Sequence, residues 1–559
     1  MSITDNSSSI HSEVLVVIGA GATASLGMPQ TSSQSDILRD LSKRDVNYEE
    51  VLREKFFGEN LSKLVSFFKV LDGNKEDKTN FDISKNDLIE IKEIYTTCKE
   101  ENILKRRILE LRRDYDWNAL KKIIEVCPEN KKSDNLIRDV YSIIDKKLLA
   151  HQSIKVMEED LPPGRIQGAR NFLTMFINMM FASAWFTVAD GEKDTNFNKY
   201  KSFINTFGKL MQDEGHRFYG KGYKVYNRDF YLFSCSFISL NFEMVFPWLL
   251  MNTHKELNTN NKTYIQDHPI KLWLDYGVEH RGRKLDKQTG KNVPTLEFTE
   301  SVASRENEDE HIGTELNRAG KFYFAHGSSN WRECPVCGRM TFYNGGNNWD
   351  YKSKKLISPF PIPLFDNKIS DLLIEKELKW RNEDLHYDSM ECMHCGAETF
   401  AYSAPMIMQT LYKSTPTSFL EEIQRNVRVS LEKARHIILL GYQLPPDDVV
   451  WQQTFAEAVR SRLDCENAAY CTVIVGYNGE KKWLYGDDLK KFVEENQNKT
   501  DCDSYGIPAI ENAWSIFGDD KVRAWIGGIP DVFGDGTESD VNELLYPKDF
   551  VNWNGTRLE

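Results

Sequence analysis

The stretch Val14-Leu-Val-Val-Ile18-Gly19-Ala20-Gly21-Ala22-Thr23 is a continuous apolar, β-branched run followed at once by a glycine turn. A run that is apolar on both alternating faces fits a strand covered on both sides, as in parallel sheets. A glycine turn and helix start behind such a strand let the backbone approach a phosphate, whose charge sits well at a helix N-terminus. Ala24 stands where the last glycine of Gly-x-Gly-x-x-Gly would be, so a plain tight turn is the rival reading.

Further along, β-like runs recur from Phe230 to Leu240, from Lys321 to Ala325, from His436 to Leu440 and from Tyr470 to Tyr477. Helical patterns lie between the later ones, over Ser418 to Ala434 and about Val449 to Leu463. This alternation predicts an α/β fold, a doubly wound, Rossmann-like parallel sheet assembled from residues 1–35, 225–330 and 400–480. Residues 36–224, rich in Lys, Glu, Ile and Leu at helical spacing, form a large, mostly helical insertion. Residues 328–400 form a cysteine-bearing insertion, and residues 481–559 a C-terminal extension whose sequence gives it no role.

A chain of 559 residues allows three or four domains of ~150 residues, or one catalytic domain with insertions. With 40% hydrophobic and 12% aromatic residues it can fill a sizeable core, which excludes a disordered chain. Lys and Arg number 71 against 84 Asp and Glu, and the net charge of −13 argues against binding nucleic acid. The first thirteen residues hold no Lys or Arg, so no signal peptide is expected and the predicted location is the cytoplasm. Phe172 to Ala189 is uncharged over 18 residues, but Thr174, Asn178, Ser183 and Thr187 interrupt it; a buried core helix is favoured over membrane insertion.

Four of the ten cysteines form two Cys-x-x-Cys pairs, Cys334/Cys337 and Cys392/Cys395, each followed by glycine. Two such knuckles supply four thiolates, the donor set of a structural zinc ribbon, and leave no open position for catalysis. The 54 residues between the pairs are a tolerable loop, because closure entropy grows only slowly with length. His394 reads as a surface residue of its knuckle, and the other six cysteines, without ligand spacing, as ordinary thiols.

The order of these motifs resembles the sirtuin family. GAGATASLGMP is similar to the sirtuin glycine loop, Ser239-Leu240-Asn241-Phe242-Glu243 matches Thr-Gln-Asn-Ile-Asp at the asparagine, and His326-Gly327 stands at the family's catalytic His-Gly before a four-cysteine ribbon. IILLGYQLPPDD is similar to the Gly-Tyr-Ser-Leu-Pro form of divergent sirtuin-like proteins in bacterial defence systems. The chain departs from the family pattern in four places, two of them Leu240 for the glutamine before the asparagine and Glu243 for the aspartate after it. Gln30-Thr31-Ser32 replaces Asp-Phe-Arg, and Ala401-Tyr402-Ser403-Ala404-Pro405 replaces the Phe-Gly-Glu segment that pairs with an acyl-lysine peptide.

The resemblance implies NAD as substrate and cleavage of its N-glycosidic bond. Asn241 would present an amide to the ribose or an ordered water, and His326 would accept a proton near neutral pH, an imidazole's ordinary pKa being ~6.5. Gly19 and Gly21 would turn the loop so that Ala20, Ala22 and Thr23 cradle the pyrophosphate; Gly441 and Tyr442 would border the ribose or diphosphate, and Glu243 hold the nicotinamide amide. The resemblance favours an NAD hydrolase acting as an antiphage effector. It keeps open an NAD-dependent deacylase or ADP-ribosyltransferase, and a non-catalytic NAD or ADP-ribose sensor. A toxic hydrolase needs an inactive resting state, so a homo-oligomer and a regulatory protein partner are expected.

Overall fold

The computed structural model describes residues 13–53, 58–73, 83–95, 98–127, 136–156, 159–189, 194–220, 235–260, 270–278, 282–285, 292–295, 316–342, 390–392, 394–395, 397–408, 410, 417–445, 448–462, 469–476, 479–497, 506–548 and 550. Eight strands form one sheet: β1 (Val14–Ile18), β2 (Cys235–Ser239), β3 (Ile270–Asp275), β4 (Leu316–Phe324), β5 (His436–Leu440), β6 (Tyr470–Val475), β7 (Lys482–Tyr485) and β8 (Val522–Ile526). Their order across the sheet is β7-β8-β6-β5-β1-β2-β4-β3. Seven strands run parallel, and edge strand β7 is antiparallel to β8. The expected α/β fold is thus present, with a mostly parallel sheet.

Strand β1 is buried throughout, as its unbroken apolar sequence demands, and it lies between strands far away in the chain. Ile18 pairs with Leu440 on one side and Ser239 on the other, and Ser239 with Phe324, so four strands end at one level. Chain direction across the sheet reverses at the β1/β5 junction: β2, β4 and β3 continue one way, β5, β6 and β8 the other.

Between β1 and β2 the chain is mostly helical: α1 (Thr31–Leu41), α2 (Tyr48–Arg53), α3 (Gly58–Asp72), α4 (Lys85–Ile94), α5 (Glu101–Asp114), α6 (Trp117–Val126), α7 (Leu136–Leu149), α8 (Pro163–Ala189) and α9 (Thr195–Gly220). Pro163 opens α8 where its missing N–H costs nothing. From Phe172 to Trp185 the helix is mostly apolar because it is enclosed: α8 packs on α5, α6 and α7, and Thr174 meets the Tyr141 hydroxyl at 2.9 Å. No helix among the described residues is long and apolar enough to cross a membrane.

After β2 come α10 (Val245–Asn260), α11 (Ser418–Lys433), α12 (Val449–Arg460), α13 (Gly486–Asn496), α14 (Ile507–Phe517) and α15 (Glu538–Leu545). The extension without a role in the sequence completes the sheet with β7 and β8. Arg523 of β8 is fully buried there, donating to Thr472 (3.0 Å), pairing with Glu543 (3.0 Å) and stacking 3.9 Å over Trp483. The same extension meets α9, where Phe533 packs on Phe203 and Lys199 pairs with Asp531 at 2.5 Å.

Candidate functional site

The carboxyl ends of β1, β2, β4 and β5 carry the loops that hold the candidate residues. Behind β1, the expected helix start is two short 3-10 turns, Ala20–Ala22 and Ala24–Leu26, and α1 begins only at Thr31. Pro29 accounts for the delay, since it disfavours helical geometry at Met28. The loop interlocks with the turn behind β5. Gly19 N–H donates to Leu440 O (2.9 Å) and Gly21 N–H to Gly441 O (3.1 Å). Gly441 has φ +67°, and a Cβ on it would lie 2.0 Å from the Ala22 nitrogen, so only glycine fits.

Of the expected phosphate cradle, Ala20 is exposed, whereas Ala22 and Thr23 face inward. The Ala22 N–H donates to Gly19 O at 3.0 Å, and its carbonyl accepts from the Tyr200 hydroxyl of α9, which also meets Ser25 at 2.9 Å. Asn196 of the same helix donates to Ser25 O at 3.3 Å. The helical insertion therefore braces the glycine loop from behind.

Thr23, Asn241 and Glu243 form one buried cluster. Thr23 Oγ1 donates to Glu243 Oε1 (3.2 Å), Asn241 Nδ2 reaches the same oxygen (3.3 Å) and Thr23 Oγ1 (3.5 Å), and the Val245 N–H donates to Glu243 Oε2. Asn241 Oδ1 accepts from the Phe242 N–H at 3.0 Å. Burial pushes the Glu243 carboxyl up to about 7 against the pull of the Val245 amide, Thr23 and Asn241. Glu243 thus stands in this structure as the partner of Asn241 and Thr23, rather than as a group facing outward. Phe242, between them, lies edge-on to Phe181 of α8 with ring centroids 5.9 Å apart.

His326 follows β4 and is 6% exposed. Its Nδ1 lies 3.1 Å from Leu240 O, and Trp451 Nε1 of α12 lies 2.7 Å from its Nε2. An indole nitrogen only donates, so Nε2 is the acceptor and the proton is on Nδ1. Gly327 has φ +81°, and a Cβ there would fall 1.5 Å from Pro405 O; the Ile407 N–H donates to His326 O at 2.8 Å. Residues 405–407, downstream of the cysteine pairs, therefore hold the histidine loop. Tyr442, 8% exposed, donates from its hydroxyl to Asp448 at 2.8 Å, just ahead of α12.

Eight residues beyond His326 the first cysteine knuckle leaves a short hairpin, Trp331–Glu333 with Met340–Phe342; the second sits on Met390–Glu391 with Glu398–Thr399. The sulfurs of Cys334, Cys337, Cys392 and Cys395 all lie within 4.8 Å of one another, with Cys334 to Cys395 at 3.5 Å and Cys337 to Cys392 at 3.6 Å. These separations are far beyond an S–S bond of ~2.05 Å and close to the ~3.8 Å edge of a tetrahedron with ~2.3 Å metal–sulfur bonds. Amides of Val336 and Cys337 point at Cys334 Sγ and that of His394 at Cys392 Sγ, each at 3.4 Å, an arrangement that stabilises thiolates. The four residues can hold one metal ion; His394 instead meets Arg339 at 3.3 Å. The first knuckle is rooted in the site, because Ser328 and Ser329 both donate to Phe242 O, at 3.0 and 3.1 Å.

The structure thus brings Thr23, Asn241 and Glu243 into direct contact and sets His326 beside the Leu240 carbonyl, while Gly19, Gly21 and Gly441 interlock next to them. Sequence reasoning missed Trp451 and Tyr200, whose partners lie 125 and 178 residues away. No protein-family model matches this sequence, and no curated protein matches it.

Proposed function

We propose that the protein is a sirtuin-like NAD glycohydrolase, cleaving NAD with water to nicotinamide, ADP-ribose and a proton. One observation carries the reading: the glycine turns, Asn241 and His326 stand together at the carboxyl ends of adjacent parallel strands, beside the point where strand order reverses. Open α/β sheets bind nucleotides in such crevices, and the sheet is read here as a doubly wound, Rossmann-like one. His326 takes the proton of a ribose hydroxyl or of the attacking water, Asn241 orients that oxygen, and the glycosidic electron pair leaves with nicotinamide. The ion at Cys334, Cys337, Cys392 and Cys395 is proposed to be zinc, which joins the two hairpins and, with four thiolates, keeps no site for substrate.

Resemblance to sirtuin-like defence proteins supports the biological part of the proposal: a cytoplasmic antiphage effector that depletes NAD, regulated through self-association or a protein partner. The test is release of nicotinamide and ADP-ribose from NAD by wild type, Asn241→Ala and His326→Ala, with and without an acetylated peptide. Peptide-independent release that both substitutions abolish is expected. Release only with peptide or with an acceptor protein assigns the chain to deacylases or ADP-ribosyltransferases. The engagement of both His326 ring nitrogens by protein favours the sensor as second reading, and NAD binding without turnover in any activated form would establish it.

A further inference from the structure

Asn241 and His326 share a feature beyond their placement: their side-chain polar atoms are met by protein. Asn241 is engaged at Nδ2 by Glu243 and Thr23 and at Oδ1 by the Phe242 amide. His326 is engaged at Nδ1 by Leu240 O and at Nε2 by the Trp451 indole. A base whose acceptor nitrogen already holds an N–H at 2.7 Å cannot take a proton from substrate through it. Nor does the other nitrogen serve, since it carries the proton in this tautomer.

We propose that Trp451 is a gate on His326: the indole caps Nε2 in the resting protein, and a hydroxyl of the bound nucleotide's ribose replaces it. This inference rests on the NAD reading for its ligand, and on geometry for the gate itself. The main chain of the histidine is held on both sides. Its carbonyl is tied to Ile407 (2.8 Å), and its neighbour Gly327 lies directly against Pro405. Trp451, 4% exposed, sits in the first turn of α12, whose other face carries Val449 and Val450 at 61% and 56% exposure and whose Gln452 donates to Leu444 O at 2.7 Å, so the indole and its turn are the parts that would move. The Tyr442 hydroxyl holds Asp448, whose carbonyl accepts the Trp451 N–H at 3.1 Å. A nucleotide reaching the Gly441-Tyr442 turn would therefore press on the same helix start that carries the indole.

The test needs no NAD in its first arm. Trp451→Phe and Trp451→Met, two apolar replacements of different shape, are compared with wild type by the rate at which diethyl pyrocarbonate acylates His326, read by mass spectrometry. Exposed His151 is the internal reference, and thermal melting reports the fold. Loss of one net hydrogen bond raises the uncapped fraction, and hence the His326 rate relative to His151, by about 2- to 13-fold. In the second arm, NAD cleavage by the same variants rises by a similar factor. An unchanged His326 rate in a folded variant overturns the gate, whatever happens to NAD. Faster acylation combined with loss of a cleavage that wild type performs also overturns it, making Trp451 a positioning residue. Faster acylation with no NAD cleavage in any form leaves the gate standing and removes the hydrolase reading.

Discussion

Replacing Glu243 by glutamine keeps the shape of the carboxyl and removes its titration, so the pair of proteins isolates what burial does to one group. The carboxyl goes from an ordinary 4.5 in the unfolded chain to about 7 in the folded one, because burial penalises the anion more than Val245, Thr23 and Asn241 stabilise it. Between those values the folded chain holds a proton that the unfolded chain has lost, so this contribution to stability is full below 4.5 and fades as pH rises through 7. Integrating from pH 5 to pH 8 gives a loss of about 2 to 3 kcal/mol in wild type that Glu243→Gln cannot show. The assay is urea unfolding followed by tryptophan fluorescence for both proteins at pH 5, 6, 7 and 8. The stability of wild type relative to Glu243→Gln should fall by that amount across the series, most steeply between pH 5 and 7. A difference that stays constant, or grows with pH, would refute the reasoning, because Glu243 would then ionise as a solvated or charge-stabilised carboxylate.

Gly441→Ala forces a Cβ into the Ala22 backbone at positive φ, and should cost more than about 2 kcal/mol in chemical unfolding; a wild-type midpoint would show that the two turns do not interlock. Tyr200→Phe removes the hydroxyl shared by Ala22 O and Ser25, with an expected loss of about 1–2 kcal/mol and faster amide exchange in the 19–26 loop; unchanged exchange there would mean that α9 does not brace it. Elemental analysis should find one metal ion per chain in wild type, and Cys337→Ser should remove it and lower the melting temperature; full metal occupancy in the variant would contradict a four-thiolate site.

Strands β1, β5 and β6 and helices α11 and α12 match the sequence reading to within a few residues, because each is a strongly patterned segment bounded by a glycine, proline or polar turn. The cysteine cluster was legible for a similar reason: Cys-x-x-Cys spacing brings two thiols of a knuckle together, and its dimensions do not depend on the rest of the fold. The long apolar stretch within α8 read as a buried core helix because Thr174, Asn178, Ser183 and Thr187 interrupt it, and its packing on α5, α6 and α7 agrees. Strand β8 escaped notice because Arg523 breaks its apolar run, and the groups that make a buried arginine tolerable come from Thr472, Trp483 and Glu543. The inward turn of Glu243 was equally hidden, since its partners Thr23 and Val245 lie on either side of the whole helical insertion.

The placement of β1 also governs when the protein can come into being on the ribosome. Val14 pairs with Cys235 and with His436, so the earliest strand to emerge has no neighbour for some 220 residues and no second one for about 420. At ~5–20 residues per second, that second wait is on the order of 20–80 seconds, during which an apolar strand with two open edges must be kept from other chains. Helices of the 31–220 region close by local contacts and can form meanwhile, but the crevice needs β5. A nascent chain thus has no assembled site until His436–Leu440 has left the exit tunnel, and any chemistry there waits for that strand.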